Sequence, residues 1–172
     1  AESKQTAKQE GLNQEEVKEF LVNYYTKKDL GENRNRYKEY MTDGLYKQTI
    51  AKEEEPVSQT YKGFVVDFQF KSAEIYINQE KLQVIAQVNY VNTLLDEKKN
   101  YNTAQKNVLN KKTLRISYTN ENGKMKVNKM ESIILTDQTG DYGILDSTKP
   151  SEGSTTDSST KPTTTPSTSN SN

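Results

Sequence analysis

The sequence predicts an α+β fold in which N-terminal helices pack on a strongly curved, four-stranded antiparallel sheet. Three observations carry this expectation. Apolar residues recur at helical spacing between Asn13 and Met41, the period changes to two from Tyr61 to Leu135, and Asn122-Gly123 joins the last two alternating runs by a tight turn. Helices that come first and strands that come last fit segregated layers better than an alternating α/β order.

Residues 1–11 are polar and carry no apolar periodicity, so 1–12 are read as a disordered leader or linker, with a single domain spanning 13–146. Asn13 and Glu16 have the spacing of a capping box, so a helix starts there. Val17, Phe20, Leu21 and Tyr24 form its apolar stripe, Glu15, Lys18, Glu19 and Asn23 face water, and Gly31 marks its end. A second, shorter helix is expected over Asn33–Met41 with Tyr37, Tyr40 and Met41 inward and the pair Arg34 and Arg36 solvated. After Asp43-Gly44, residues Leu45, Tyr46 and Ile50 predict one further helical turn capped by Asp43. Glu53-Glu54-Glu55-Pro56 then reads as a solvated polar connection, because three adjacent carboxylates before a proline lack the spacing of a hard-cation loop.

Phe64, Val66, Phe68 and Phe70 share one parity and predict a long strand; Ile75 and Ile77 take the other parity, so Lys71-Ser72-Ala73 is expected to hold a bulge. Asn78 to Lys81 turns the chain into the alternating Leu82, Val84, Ala86, Val88 and Tyr90. Glu97 to Thr103 is a polar loop, and a third strand starts within Ala104–Leu109. It feeds the hairpin in which Leu114, Ile116 and Tyr118 share one face and Met125 and Val127 answer them across Asn122-Gly123. Parity slips again towards Met130, which predicts a second bulge at Asn128-Lys129. Residues 147–172 are a Ser, Thr and Pro tract without apolar residues, which cannot offset the entropy of ordering and is expected to be a disordered tail of an extracytoplasmic kind.

Composition narrows the chemistry. The chain has no Cys and no His, which removes disulfides, thiolate metal sites, catalytic triads and His-based zinc or iron centres. Lys plus Arg and Asp plus Glu balance at 24 each, so no net field draws the chain to nucleic acid, and direct nucleic-acid binding is not expected. No apolar run is long enough to span a bilayer. Asp67 lies between Val66 and Phe68 on the parity opposite the apolar set and is expected to point outward, and no cofactor is predicted. The residues read as a pocket or interface are Tyr24, Tyr37, Tyr40, Phe68 and Phe70. They either line a hollow for a small apolar or lipid ligand or fill it themselves.

The stretch Asn122-Gly-Lys-Met-Lys-Val-Asn-Lys-Met-Glu-Ser-Ile133 resembles the closing hairpin of extracytoplasmic members of the nuclear-transport-factor-two-like fold, in which Asn-Gly-Lys-Trp-Lys-Val often precedes the final strand. Met125 stands where those members carry Trp. Phe20-Leu-Val-Asn-Tyr-Tyr-Thr26 and Arg36-Tyr-Lys-Glu-Tyr-Met-Thr-Asp-Gly-Leu-Tyr46 resemble the VirB-eight-like, TcpC and TraM type of subunit in Gram-positive conjugative type IV secretion systems. That resemblance implies a cone-shaped sheet wrapped on the first helix, and a non-enzymatic scaffold on the extracytoplasmic face of the cell membrane. It also implies an anchoring transmembrane helix before Ala1 and other channel subunits as partners, with a homo-oligomer left open.

Overall fold

The computed structural model describes residues 11–135 and 142–144. The expected leader over residues 1–10 and the tail over 147–172 lie outside the described residues. Helices precede strands. Helix α1 (Gln14–Tyr25) is followed by a short α2 (Arg34–Tyr37), a 3-10 turn (Lys38–Tyr40), α3 (Asp43–Glu54) and α4 (Pro56–Gln59). The sheet comprises β1 (Val65–Asn78), β2 (Gln83–Leu94), β3 (Gln105–Glu121), β4 (Lys124–Leu135) and β5 (Tyr142–Ile144), in the order β1-β2-β3-β4-β5. Neighbouring strands pair antiparallel throughout. The fifth strand corrects the expected count of four: Ile133 to Leu135 pair with Tyr142 to Ile144, a strand too short to announce itself by alternation.

The Asn13 side chain accepts the Glu16 amide at 2.9 Å, so the predicted cap is present. Val17, Phe20, Leu21 and Tyr25 are its buried residues, and they meet Val84, Ala86, Val88, Leu114, Ile116 and Val127 from the middle strands. The helix ends at Tyr25, six residues short of Gly31, which sits at φ +85° in the turn that follows. Its last carbonyls are met from outside: Asn33, fully buried, donates to the Asn23 and Tyr24 carbonyl oxygens at 2.8 and 2.9 Å. Leu12, expected within the leader, belongs to the core at 5% exposure. Gln79 holds it in place, accepting from the Leu12 amide at 3.0 Å and donating to its carbonyl at 2.7 Å.

The second helical region differs from its sequence reading. The stretch expected as one helix is split, with α2 ending at Tyr37 and a 3-10 turn carrying Tyr40. Helix α3 runs for twelve residues instead of one turn, and its cap is Thr42, whose hydroxyl accepts the Leu45 amide at 3.2 Å. The acidic run is therefore not a solvated connection at its start. Glu53 lies within α3 at 9% exposure, where it accepts from Arg34 Nε at 2.6 Å and from the Tyr37 hydroxyl at 3.1 Å. Arg34, expected in solvent, also reaches Glu54 at 2.9 Å. Arg36 is the more exposed of the basic pair and is held by Glu32, whose carboxyl it draws down to about 2.

Four register shifts re-aim the strands, one of them between Asn92 and Leu94 of β2. Another falls between Phe70 and Ser72, where the parity slip required it, and one places Asn128 as the extra residue opposite Ser117 and Tyr118. The fourth, between Val66 and Gln69, was not foreseen; Asp67 sits there at φ +51° and is exposed, as its parity required. Both long edges are occupied over part of their length. Lys27 exchanges backbone hydrogen bonds with Phe68 at 3.1 and 2.8 Å, the Asp67 amide donates to the Lys28 carbonyl at 2.9 Å, and Gln14 Nε2 donates to the Ile75 carbonyl. On the other side Met41 bridges Val127 and the Thr42 amide donates to the Val127 carbonyl at 2.9 Å.

Glu121 pairs with Lys124, leaving Asn122 (φ +54°) and Gly123 (φ +85°) as the two turn residues. Two consecutive positive φ values are the geometry whose twist matches the flanking strands. A methyl at Gly123 would meet nothing within 4 Å, so Gly123→Ala tests the backbone alone. It is expected to lower unfolding free energy by about 1 kcal/mol, the strain of an L-residue in the left-handed region. Urea denaturation checks this, and an unchanged midpoint would refute the turn.

Candidate functional site: an aromatic hollow beside Lys27

Between α1, α3 and the sheet, the C-terminal end of α1 delivers Tyr24, Tyr25 and, two residues beyond the helix, Lys27 to a cluster of rings. Tyr24 packs edge-on to Tyr25 at 5.1 Å and tilted against Tyr37 at 5.3 Å. Tyr25 stacks on Tyr90 from β2 at 4.7 Å, and Phe68 from β1 lies nearly parallel to Tyr90 at 6.2 Å. The Lys27 ammonium sits 4.7 Å above the Phe68 ring, an attraction to the negative face of the π-system. Two open hollows meet at this point. One, of about 310 Å³, is lined by Leu30, Leu45, Thr49, Glu53 and Ser58; the other, of about 250 Å³, by Tyr25, Phe68, Tyr90, Leu114 and Glu131. Tyr24, Lys27 and Met130 line both.

The electrostatics follow from burial. Desolvation pushes the Tyr24 hydroxyl up to about 12, with the negative charge of Glu53 and the neighbouring Tyr90 adding to it. Tyr37 is raised further by burial and then by Glu53, and Tyr25 by burial with Tyr24 and Tyr90 behind it. All three are neutral at physiological pH and act as aromatic walls, with the Tyr37 hydroxyl donating to Glu53. Desolvation lowers Lys27, opposed by Glu53 and Asp29. The two carboxylates at the hollows are engaged: Glu53 by Arg34 and Tyr37, Glu131 by Arg115 at 2.9 Å and Lys129 at 3.5 Å. Among the described residues the Lys27 ammonium has no hydrogen-bond or carboxylate partner.

Of the five residues singled out from the sequence, the structure brings Tyr24 and Phe68 to the hollows, with Tyr37 directly behind Tyr24. Tyr40 is not with them. The 3-10 turn places it beside the middle of α1, where it packs on Phe20 at 5.9 Å, lies 3.5 Å from the Asn23 side-chain amide and lines a separate cleft of about 360 Å³ with Glu16, Glu39, Tyr118 and Met125. Phe70 packs against the core and lines none of these hollows. Sequence reasoning missed Tyr25, Lys27, Tyr90 and Met130 as site residues and Glu53 as a buried one. Tyr90 was legible, since it continues the inward parity of Val84, Ala86 and Val88; Lys27 and Glu53 carry no periodic signal.

Among the described residues no group of three or more Asp or Glu is placed to hold a metal, and no helix is long and apolar enough to cross a membrane. No protein-family model matches the chain, and comparison with characterised proteins returns no match.

Proposed function

We propose that the chain is a non-enzymatic, extracytoplasmic scaffold domain of a conjugative type IV secretion channel, built on a nuclear-transport-factor-two-like fold. Support comes from the helices-then-meander order and from bulges at the positions where a wrapping sheet has to bend. The observation that carries the reading is the contrast between an interior filled by the chain's own rings and large apolar side chains left outside. Tyr76 (56% exposed) and Leu109 (61%) stand on the side of the sheet away from the helices, with Tyr101 (43%) in the loop before β3. Tyr76 lies level with Arg115, six residues along β3 from Leu109, so these are separate exposed side chains, each of which would anchor its own contact with a partner. In a transfer channel the partners would be other channel subunits or further copies of this chain.

The test is genetic and chemical. Deleting the coding sequence from its native host is expected to abolish plasmid transfer, and restoring it with Tyr76→Asp and Leu109→Asp together is expected to leave transfer impaired while the purified domain keeps its thermal midpoint. A photo-crosslinker at Leu109 should capture a membrane-embedded channel component. Transfer that survives the deletion sinks the assignment. A second reading, a small-ligand domain, is favoured by one observation, the paired hollows around Lys27.

A further inference from the structure

A cation that is partly buried, has no partner among the described residues and faces open space is an unmet electrostatic demand. Lys27 fits that description. Its backbone is fixed by the two hydrogen bonds to Phe68, so the side chain starts from a rigid rung of the sheet edge and not from a free loop. Its ammonium is held over the Phe68 face and lines both hollows. A ring face offsets part of the lost hydration of an ammonium, but it supplies no hydrogen-bond acceptor for the three N–H groups.

The carboxylates near Lys27 are directed elsewhere, Asp29 among them, which accepts from the Leu30 and Gly63 amides at 2.8 and 3.0 Å. Glu53 is turned to Arg34 and the Tyr37 hydroxyl, and Glu131 to Arg115 and Lys129. Lys52 and Lys112, at the rims, add positive charge and have no carboxylate partner among the described residues. The larger hollow offers Leu30, Leu45, Tyr24 and Met130 as apolar wall. Its 310 Å³ is about twice the volume of a cavity known to take benzene, which suits a body of two fused rings or a short alkyl chain.

We propose that this hollow binds a small amphipathic carboxylate, its charged end paired with the Lys27 ammonium and its apolar body against Leu45, Tyr24 and Met130. The site is independent of the secretion-channel assignment, since the transfer assay and a binding assay fail separately. Pairing one carboxylate with a poorly hydrated ammonium makes a charge-assisted hydrogen bond, stronger than the same contact in water. The neutral alcohol of the same shape would keep the apolar contacts and lose that bond.

The experiment titrates the full chain with 1-naphthylacetate and, in parallel, with 2-(1-naphthyl)ethanol, following backbone amide shifts. The acid is expected to bind about tenfold more tightly than the alcohol, an ordinary worth for one charge-assisted contact, with shifts centred on Lys27, Leu45 and Met130. Lys27→Met should erase the preference without weakening the alcohol, Lys27→Arg should keep most of it, and Leu45→Gln should weaken both ligands. Equal affinities in the unmodified protein, a preference that survives Lys27→Met, shifts centred elsewhere, or no binding of either ligand at millimolar concentration would each overturn the proposal. The acid-to-alcohol comparison decides the matter even where a variant fails to fold.

Discussion

Phe20→Ala is expected to remove about 3–5 kcal/mol from the unfolding free energy, the range for emptying a buried phenylalanine site. Phe20 is 1% exposed, at the middle of the α1 stripe, and touches rings on both sides, Tyr24 at 5.5 Å and Tyr40 at 5.9 Å. These neighbours are themselves fixed, Tyr24 against Tyr37 and Tyr25, and Tyr40 by the 3-10 turn, so the site cannot collapse to fill the void. Against a total stability of order 5–15 kcal/mol, such a loss is a large share of what holds the domain together. Urea unfolding of Phe20→Ala beside Phe20→Leu reads it, with the leucine losing much less. A loss below about 1 kcal/mol for the alanine would mean that α1 is not the helix on which the sheet closes.

The second large effect is at Glu53. Removing its carboxylate by Glu53→Ala leaves Arg34 without its closest partner and the Tyr37 hydroxyl buried without an acceptor. Arg34 keeps 26% of its side-chain surface and a second contact to Glu54, so the expected cost lies at the low end of the roughly 3–5 kcal/mol seen when one member of a buried pair is deleted. Glu53→Gln retains an acceptor for Tyr37 and should recover part of the loss. A double-mutant cycle with Tyr37→Phe separates the two contacts, because Tyr37→Phe in the Glu53→Ala background removes a hydroxyl that is already unpaired. If the alanine variant unfolds at the same urea concentration as the parent, the ion pair is ornamental.

What could be read before any coordinates were known follows the strength of periodicity. The α1 stripe, the alternation of β2 and the Asn122-Gly123 hairpin are each long enough for the pattern to exceed chance, and all are in the structure. The bulges near Ser72 and at Asn128 were legible because a single extra residue inverts parity downstream. Helix α3 was underestimated because its apolar residues do not form a stripe: only Glu53 among its twelve residues is buried, and its start depends on Thr42, one position before the residue chosen as cap. Tyr40 was grouped with Tyr37 on the assumption of one continuous helix. A switch to 3-10 geometry rotates residues three apart differently and sends Tyr40 onto Phe20 while Tyr37 packs on Tyr24. The fate of Glu53 and Lys27 depends on partners far along the chain, which local spacing does not encode.

The rungs that Lys27 and Lys28 add to β1, and that Met41 and Thr42 add to β4, use up backbone donors and acceptors that a second molecule would need in order to extend the ladder. Strand-to-strand zipping is thereby obstructed along those stretches of β1 and β4. A partner meeting the domain there has to pack broadside, side chain against side chain, which permits the two to come apart and re-form without either chain surrendering its own hydrogen bonds.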